Sequence, residues 1–265
     1  MNNIISPEPF VEVISQIESD DFPDTWYELS NENHFWFIWR INSFISQIKH
    51  LGIPQTRELH VLEVGCGNGT VRKQLEKHTN WNIDGVEINL KALNKNGSNR
   101  RGRTMLYNVH DRDESLKEKY DAIILFDVIE HIEDIKLFLQ SCIFHLKQNG
   151  LMFINVPALN LLFSQYDKQV GHYRRYNKLM IHNQLVLSNL QVIDMRYWGV
   201  ISLPMLIARK LLLKLLKLDR RNVVNIGFKP PSPLFNSFIT KIAIIDTKIF
   251  ISPRIGASLL AIAKK

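Results

Sequence analysis

An α/β fold with a doubly wound parallel sheet is predicted by three observations. Short apolar runs alternate with helical patterns from residue 60 to residue 157. The first run, Val61 to Val64, breaks into Gly65, Gly67 and Gly69 just before a helical pattern opens at Thr70. The second run ends on an acid, Glu87, in Asp84-Gly-Val-Glu-Ile88, where an open sheet of this kind presents side chains to its crevice.

Taken in order, residues 1–30 are mixed and acidic, hold Pro7, Pro9 and Pro23, and read as irregular structure or short helices. Asn31 to His50 has helical spacing and concentrates Phe35, Trp36, Phe37, Trp39 and Phe44, which reads as a helix buried against the domain. Residues 1–56 form this leader. Strands are expected at His60–Val64, Asn82–Val86, Thr104–Asn108, Tyr120–Phe126 and Leu151–Val156, the last behind the turn signal Asn149-Gly150. Helices are expected at Thr70–Thr79, Asn89–Lys95 and Ile132–Leu146, and Asn177 caps another that runs to about Ser188. A strand at Gln191–Tyr197 closes a core over residues 57–198. Residues 199–256 read as a basic helical insertion that Pro230, Pro231 and Pro233 divide in two, and 257–265 as the last strand, Ser258–Ala263.

Composition excludes several classes. Apolar content of 45% and charged content of 22% are those of an ordinary globular protein. Cys66 and Cys142 are the only cysteines and neither lies in a C-x-x-C pair, so a disulfide framework is not expected and a reducing, cytoplasmic setting is. Cys66 reads as a small residue filling the glycine loop. The acids Glu8, Glu12, Glu18, Asp20 and Asp21 are the wrong chemistry for a signal peptide, and Trp198 to Ala208 is too short to span a membrane. The net charge of +7 lacks interleaved aromatics, so nucleic acid is not expected as a partner.

The loop Glu63-Val-Gly-Cys-Gly-Asn-Gly69 spaces its glycines G-x-G-x-G. Dinucleotide-binding enzymes use G-x-G-x-x-G, and Thr70 stands where that pattern wants glycine. The loop resembles the first motif of class I S-adenosylmethionine (SAM)-dependent methyltransferases. Glu87 at the end of the second strand suits the ribose hydroxyls of a nucleoside, with mid-strand Asp84 as its rival. Asp127-Val-Ile-Glu-His131, emerging from the fourth strand, resembles the D-x-x-E-H segment of the same enzymes. The resemblance implies a Rossmann-like seven-stranded sheet with an antiparallel last strand, SAM as cofactor and S-adenosylhomocysteine (SAH) as product. It further implies that Glu63, Gly65, Cys66, Gly67, Gly69, Glu87, Ile88, Asn108, Val109, Phe126 and Asp127 contact the cofactor. Asn108 reads equally as a turn asparagine. Glu32-Asn-His-Phe-Trp-Phe37 followed by Arg40 resembles the leader of one methyltransferase subgroup, in which the helix lids the cofactor and Arg40 would meet its carboxylate.

Methyl transfer from a sulfonium needs alignment, and a hydroxyl acceptor also needs a base. His131 and His172 are the candidate bases, although His131 reads first as a residue that orients the loop or covers the adenosine. Asp167-Lys-Gln-Val-Gly-His-Tyr-Arg-Arg-Tyr176 resembles the D-x-x-x-G-H-x-R-R-Y segment of the subgroup with the aromatic leader. That places His172 and Tyr173 with the chemistry, and Arg174, Arg175 and Tyr176 with the acceptor. The bland reading is that Arg174 and Arg175 are surface residues and that Tyr176 packs on the core. Asp127, Glu130 and His131 also resemble the metal-holding E-x-x-E-H of ubiquinone-pathway O-methyltransferases, but three ligands so close in sequence need a special turn, and no metal is expected.

Within Leu206–Arg221 a helix would align Lys210, Lys214, Lys217 and Arg221 in one stripe. Such a helix either lies on an anionic membrane or another partner, or buries its leucines on the domain and exposes its lysines. The function expected is methyl transfer from SAM to a small-molecule or lipid-linked acceptor, anionic groups included. A non-catalytic SAM-binding regulator and an NAD(P)-dependent oxidoreductase are the alternatives.

Overall fold

The computed structural model describes residues 7–17, 31–216, 222–223 and 231–265. Its elements run β1 (Val11–Val13), α1 (Phe35–His50), β2 (His60–Val64), α2 (Thr70–Leu75), β3 (Asn82–Glu87), α3 (Leu90–Asn94), β4 (Thr104–Leu106) and β5 (Tyr120–Phe126). They continue with α4 (Ile135–His145), β6 (Leu146–Pro157), α5 (Gln165–Gln169), α6 (Lys178–Leu187), β7 (Gln191–Trp198), α7 (Leu203–Leu215), α8 (Pro233–Ile249) and β8 (Ser258–Lys264).

One sheet of eight strands is ordered β1-β4-β3-β2-β5-β6-β8-β7. The strands up to β6 pair in parallel, and β8 enters antiparallel between β6 and β7. The parallel strands are apolar because helices cover both faces, which is the pattern the sequence displays. The eighth strand corrects the expectation of seven. Val11–Val13, expected as irregular structure or helix, pairs with Thr104–Leu106 at the sheet edge. A run that short carries too little periodicity to be told from loop, and its pairing is decided by an edge more than 90 residues away.

Two cores flank the sheet. One lies under α4 and α6 and includes Tyr107, Ile123, Phe138, Leu139, Ile154, Ile181 and Leu185. The other lies under α1, where Trp39, Phe44 and Ile48 pack on Trp81, Phe126, Phe153 and Leu260. The α1 aromatics are therefore mostly core, as their helical spacing suggests. The helix after the glycine loop ends at Leu75, short of the expected Thr79.

Both helices of the insertion are present, α7 and α8, and α8 packs along α1. Asp246 of α8 accepts from Trp39 Nε1 at 3.1 Å and from the Ile201 amide at 3.1 Å. The expectation for the basic stripe is revised. On α7 only Leu206 and Leu213 are buried, while Leu211 and Leu215 are 56% and 80% exposed, so this helix does not hide its leucines. Lys217 and Arg221 lie outside the described residues. On α8, Leu234, Phe238 and Ile249 are likewise exposed. Among the described residues no helix is long and apolar enough to cross a membrane.

Candidate active site

The glycine loop begins where β2 ends. Gly65, Gly67 and Gly69 have φ of +72°, +53° and +75°, a region costly for any side chain with a Cβ. A Cβ on Gly65 would also sit 2.8 Å from Val128. Beneath the loop lies Arg72 of α2, fully buried. It donates to the carbonyl oxygens of Ile83 and Arg103, to Asn96 Oδ1 and to Thr104 Oγ1. Asn96 in turn donates to the Gly67 carbonyl at 3.1 Å. This arginine is the internal scaffold of the loop. Nothing in a lone basic residue on a helix pattern announces that.

Glu87 ties the loop to the next strand. Its carboxylate accepts from the amides of Gly67 (2.9 Å), Ile88 (2.8 Å) and Asn89 (3.2 Å). Asp84 is elsewhere, held by Arg103 and the Tyr120 hydroxyl. Glu63 is buried at the end of β2, and among the described residues its Oε2 has no hydrogen-bond partner. Burial pushes its carboxyl up to about 8, against the opposing charges of Arg72 and Arg40. Burial likewise holds the Cys66 thiol well above its usual range, so it is not a reactive thiolate.

These residues line one cavity of about 1380 Å³. Of the residues expected at the cofactor, Glu63, Gly65, Cys66, Gly67, Glu87, Ile88, Asn108, Val109, Phe126, Asp127 and Arg40 all face it; Gly69 does not. Gly69 instead lies against Asn96, behind the loop. Asn108 fits both of its readings, since it also caps the short turn Val109–Asp111 by accepting from the His110 amide. Arg40 forms an ion pair with Asp127 at 2.5 Å, its guanidinium flanked by the rings of Phe37 and Phe126. Asp127, at φ +58°, is held further by Asn155, whose Nδ2 donates to it at 2.6 Å and whose Oδ1 accepts from Trp198 Nε1 at 2.9 Å.

At the other end of the cavity stand Glu130, His131, Tyr166, His172, Tyr173 and Arg175. His131 is pushed down to about 3 by burial and then by the neighbouring His172 ring, which makes it too weak a base at neutral pH. His172 Nδ1 lies 3.0 Å from Asp167 Oδ1, and its Nε2 lies 4.0 Å from Glu130 Oε1. Arg175, expected to clamp an acceptor, donates instead to Asp167 Oδ1 at 2.7 Å. Arg174 donates to the Glu133 carbonyl and does not line the cavity. Tyr176 packs in the core and donates to the Ile129 carbonyl, which is its bland reading. Asp167 opens the D-x-x-x-G-H-x-R-R-Y segment, and its S-x-x-D spacing from Ser164 is that of a capping box, but neither signal shows that it meets His172 and Arg175.

The ligand atoms of Glu130, His131 and His172 lie within 4.8 Å of one another, close enough for a cation to bridge them. Asp127 is not in that group, because Arg40 and Asn155 hold it.

Comparison with known proteins places this architecture. Residues 26–194 match the model of a family described as a methyltransferase domain. The chain belongs to that family, whose cofactor is SAM. The mitochondrial ubiquinone biosynthesis O-methyltransferase of Homo sapiens is 29% identical over 121 residues, 40% of this chain and 33% of the relative. Its counterpart in Rickettsia conorii is 29% identical over 156 residues, 52% of this chain and 53% of the relative. The chain thus spans a third to about half of the length of these curated relatives. The fold is similar to that of phosphoethanolamine N-methyltransferase 2 of Haemonchus contortus, solved with SAM. The TM-score is 0.54 and the identity 16%, covering 86% of this chain and 52% of that one. It is also similar to a 1,6-didemethyltoxoflavin-N1-methyltransferase of Burkholderia thailandensis, solved with SAH. There the TM-score is 0.51 and the identity 14%, covering 91% and 81%.

The residues fit the family's cofactor. A bare glycine loop, an acid at the end of β3 and an unpartnered buried carboxyl oxygen on Glu63 converge on one end of the cavity.

Proposed function

We propose that this chain transfers the methyl group of SAM to an acceptor hydroxyl, with His172 as the base. The observation that carries the reading is the continuity of the cavity. It runs from the glycine loop past Asp127 to His172, and on between Trp36 and Phe37 of α1, Met205 and Leu212 of α7, and Phe235 and Ile239 of α8. The first stretch would hold the cofactor, through Glu63, Gly65, Gly67, Glu87 and Asn108. When bound, SAM supplies a methyl on a sulfonium leaving group. The chain's own contribution is to exclude water with the α1 aromatics, to orient the acceptor, and to take its proton on His172.

The far stretch is apolar and reaches side chains that are also solvent-exposed, Met205, Leu212 and Phe235. That favours an acceptor with an apolar chain, lipid or lipid-linked. The exposed leucines beside Lys210 and Lys214 favour a cytoplasmic protein that rests on an anionic membrane through the first insertion helix.

Calorimetric titration with SAM, SAH and NADH tests the reading, with Glu87→Ala as control. SAM and SAH should bind, and the variant should lose most of that affinity. An acceptor screen read by SAH formation, begun with phenols and anionic lipids, then tests the transfer. Binding of NADH without SAM would reassign the chain to the oxidoreductases. SAM binding with no turnover on any acceptor would favour a regulator.

A further inference from the structure

His172 sits in a frame that defines which of its nitrogens is bare. Asp167 is fully buried and receives four hydrogen bonds. Its Oδ2 accepts from the Ser164 amide (2.8 Å) and the Ser164 hydroxyl (3.0 Å), while Oδ1 accepts from Arg175 Nε (2.7 Å) and faces His172 Nδ1 (3.0 Å). Although burial alone would raise it, the hydrogen bond from His172 and the Arg175 guanidinium hold the Asp167 carboxyl well below the usual carboxylate range. An ionised carboxylate only accepts, so Nδ1 must be the protonated nitrogen. The His172 amide also donates to the Asp167 carbonyl at 2.8 Å, which fixes the backbone under the ring.

Nε2 then carries the lone pair and points toward Glu130. The 4.0 Å between Nε2 and Glu130 Oε1 is too long for a direct hydrogen bond. Glu130 is buried, lines the cavity, and has neither carboxyl oxygen hydrogen-bonded among the described residues. A hydroxyl entering there would find an acceptor in Nε2 and, beside it, the carboxyl of Glu130, which burial pushes toward its neutral form.

Resting on the function proposed above, we propose that Asp167, locked by Arg175 and Ser164, is the positioning residue that holds His172 as the Nδ1–H tautomer, with Nε2 bare toward the acceptor hydroxyl and Glu130. In the transfer the acceptor O–H bond breaks and its proton passes to Nε2. The acceptor oxygen forms the new bond to the methyl, and the breaking sulfur–methyl bond leaves its electron pair on sulfur. The imidazolium that results is opposed by the Asp167 charge. Asp167 touches neither cofactor nor acceptor and acts through the ring.

The test reads the tautomer directly and needs no acceptor. The full chain, labelled with 15N in histidine, is recorded by long-range 1H–15N correlation at pH values where the ring is neutral. The His172 signal is assigned by its loss in His172→Gln. The wild type should show the Nδ1–H form alone. Asp167→Asn should shift at least half of the ring to the Nε2–H form, and Asp167→Glu should restore it. An Nε2–H tautomer in the wild type would overturn the proposal even if the variants failed to fold. So would an unchanged Nδ1–H form in a folded Asp167→Asn. The spectrum should not change with EDTA; a His172 shift on chelation would replace the proton role with a metal bridging Glu130, His131 and His172. SAM titration of the wild type reports separately on the functional reading, since its failure leaves the tautomer result standing.

Discussion

Replacing Glu63 with glutamine should make the protein less sensitive to pH. In the folded chain burial holds the Glu63 carboxyl near 8, against an ordinary value of 4.5. Between those values the folded state keeps a proton that the unfolded chain has released. The associated stability is whole below pH 4.5, shrinks as pH rises, and is lost above about 8. At pH 7 the loss amounts to about 3 kcal/mol. Glutamine copies the neutral acid in shape and cannot ionise. Glu63→Gln should therefore match the wild type near pH 4.5 and exceed it by about 3 kcal/mol at pH 7, a widening of the Tm difference by roughly 6–12 °C. Denaturation of both proteins across that range is the assay. Parallel stability curves would refute the reasoning. They would mean that Glu63 is already ionised when folded, stabilised by Arg72 and Arg40 beyond what its burial costs. The same acid gives a second readout: a cationic ligand should ionise it, so SAM binding at pH 7 should release up to one proton. The binding enthalpy would then depend on buffer ionisation in the wild type but not in the variant.

Further outcomes follow from the same geometry. Gly65→Ala forces a Cβ into a positive-φ residue 2.8 Å from Val128; it should cost about 1–2 kcal/mol in backbone strain alone and weaken SAM binding in calorimetry. Arg72→Met leaves the Asn96 amide, the Thr104 hydroxyl and two carbonyls without their donor, so a loss of about 3–5 kcal/mol in chemical denaturation is expected. Leu215→Glu with Phe238→Glu removes apolar side chains that do not line the cavity; it should weaken sedimentation with phosphatidylglycerol vesicles at least tenfold and leave SAM affinity unchanged. Equal binding of the double variant and the wild type would remove the membrane from the proposal.

The parallel core was legible because its central strands, β2 and β5, are buried on both faces along most of their length. Val61–Val64 and Ala122–Phe126 cannot be anything but interior, and the glycines between strand and helix mark the crevice. What escaped depends on contacts distant in sequence. Val11–Val13 is a strand only because β4 offers an edge. Arg72 looks like an ordinary charge until the fold surrounds it with partners 24 to 32 residues away, whereas the partners of Asp167 are local and only their geometry is hidden in the sequence. Of the paired arginines that suggest an acceptor clamp, Arg175 lines the cavity while its Nε is engaged by Asp167, eight residues away. The leucines of α7 were ambiguous in principle, since an amphipathic pattern specifies an apolar face and not what covers it.

The balance of charge in the cavity argues for the sign of its ligand. Asp127 is matched by Arg40, and the Glu87 carboxylate is met by three backbone amides. Glu63 and Glu130 remain, both buried, both with carboxyl oxygens that nothing among the described residues satisfies, and both pushed upward by burial. Burial favours the neutral form of both. A cation entering at the glycine loop is offered Glu63, a group able to ionise in its favour. A dinucleotide brings its diphosphate into the same space and meets an acid that can only stay neutral or repel it. The methyl donor carries a fixed sulfonium and an ammonium against one carboxylate, and so is positive overall. Glu63, at the glycine-loop end, therefore favours the cationic cofactor by charge, independently of the spacing of the glycines.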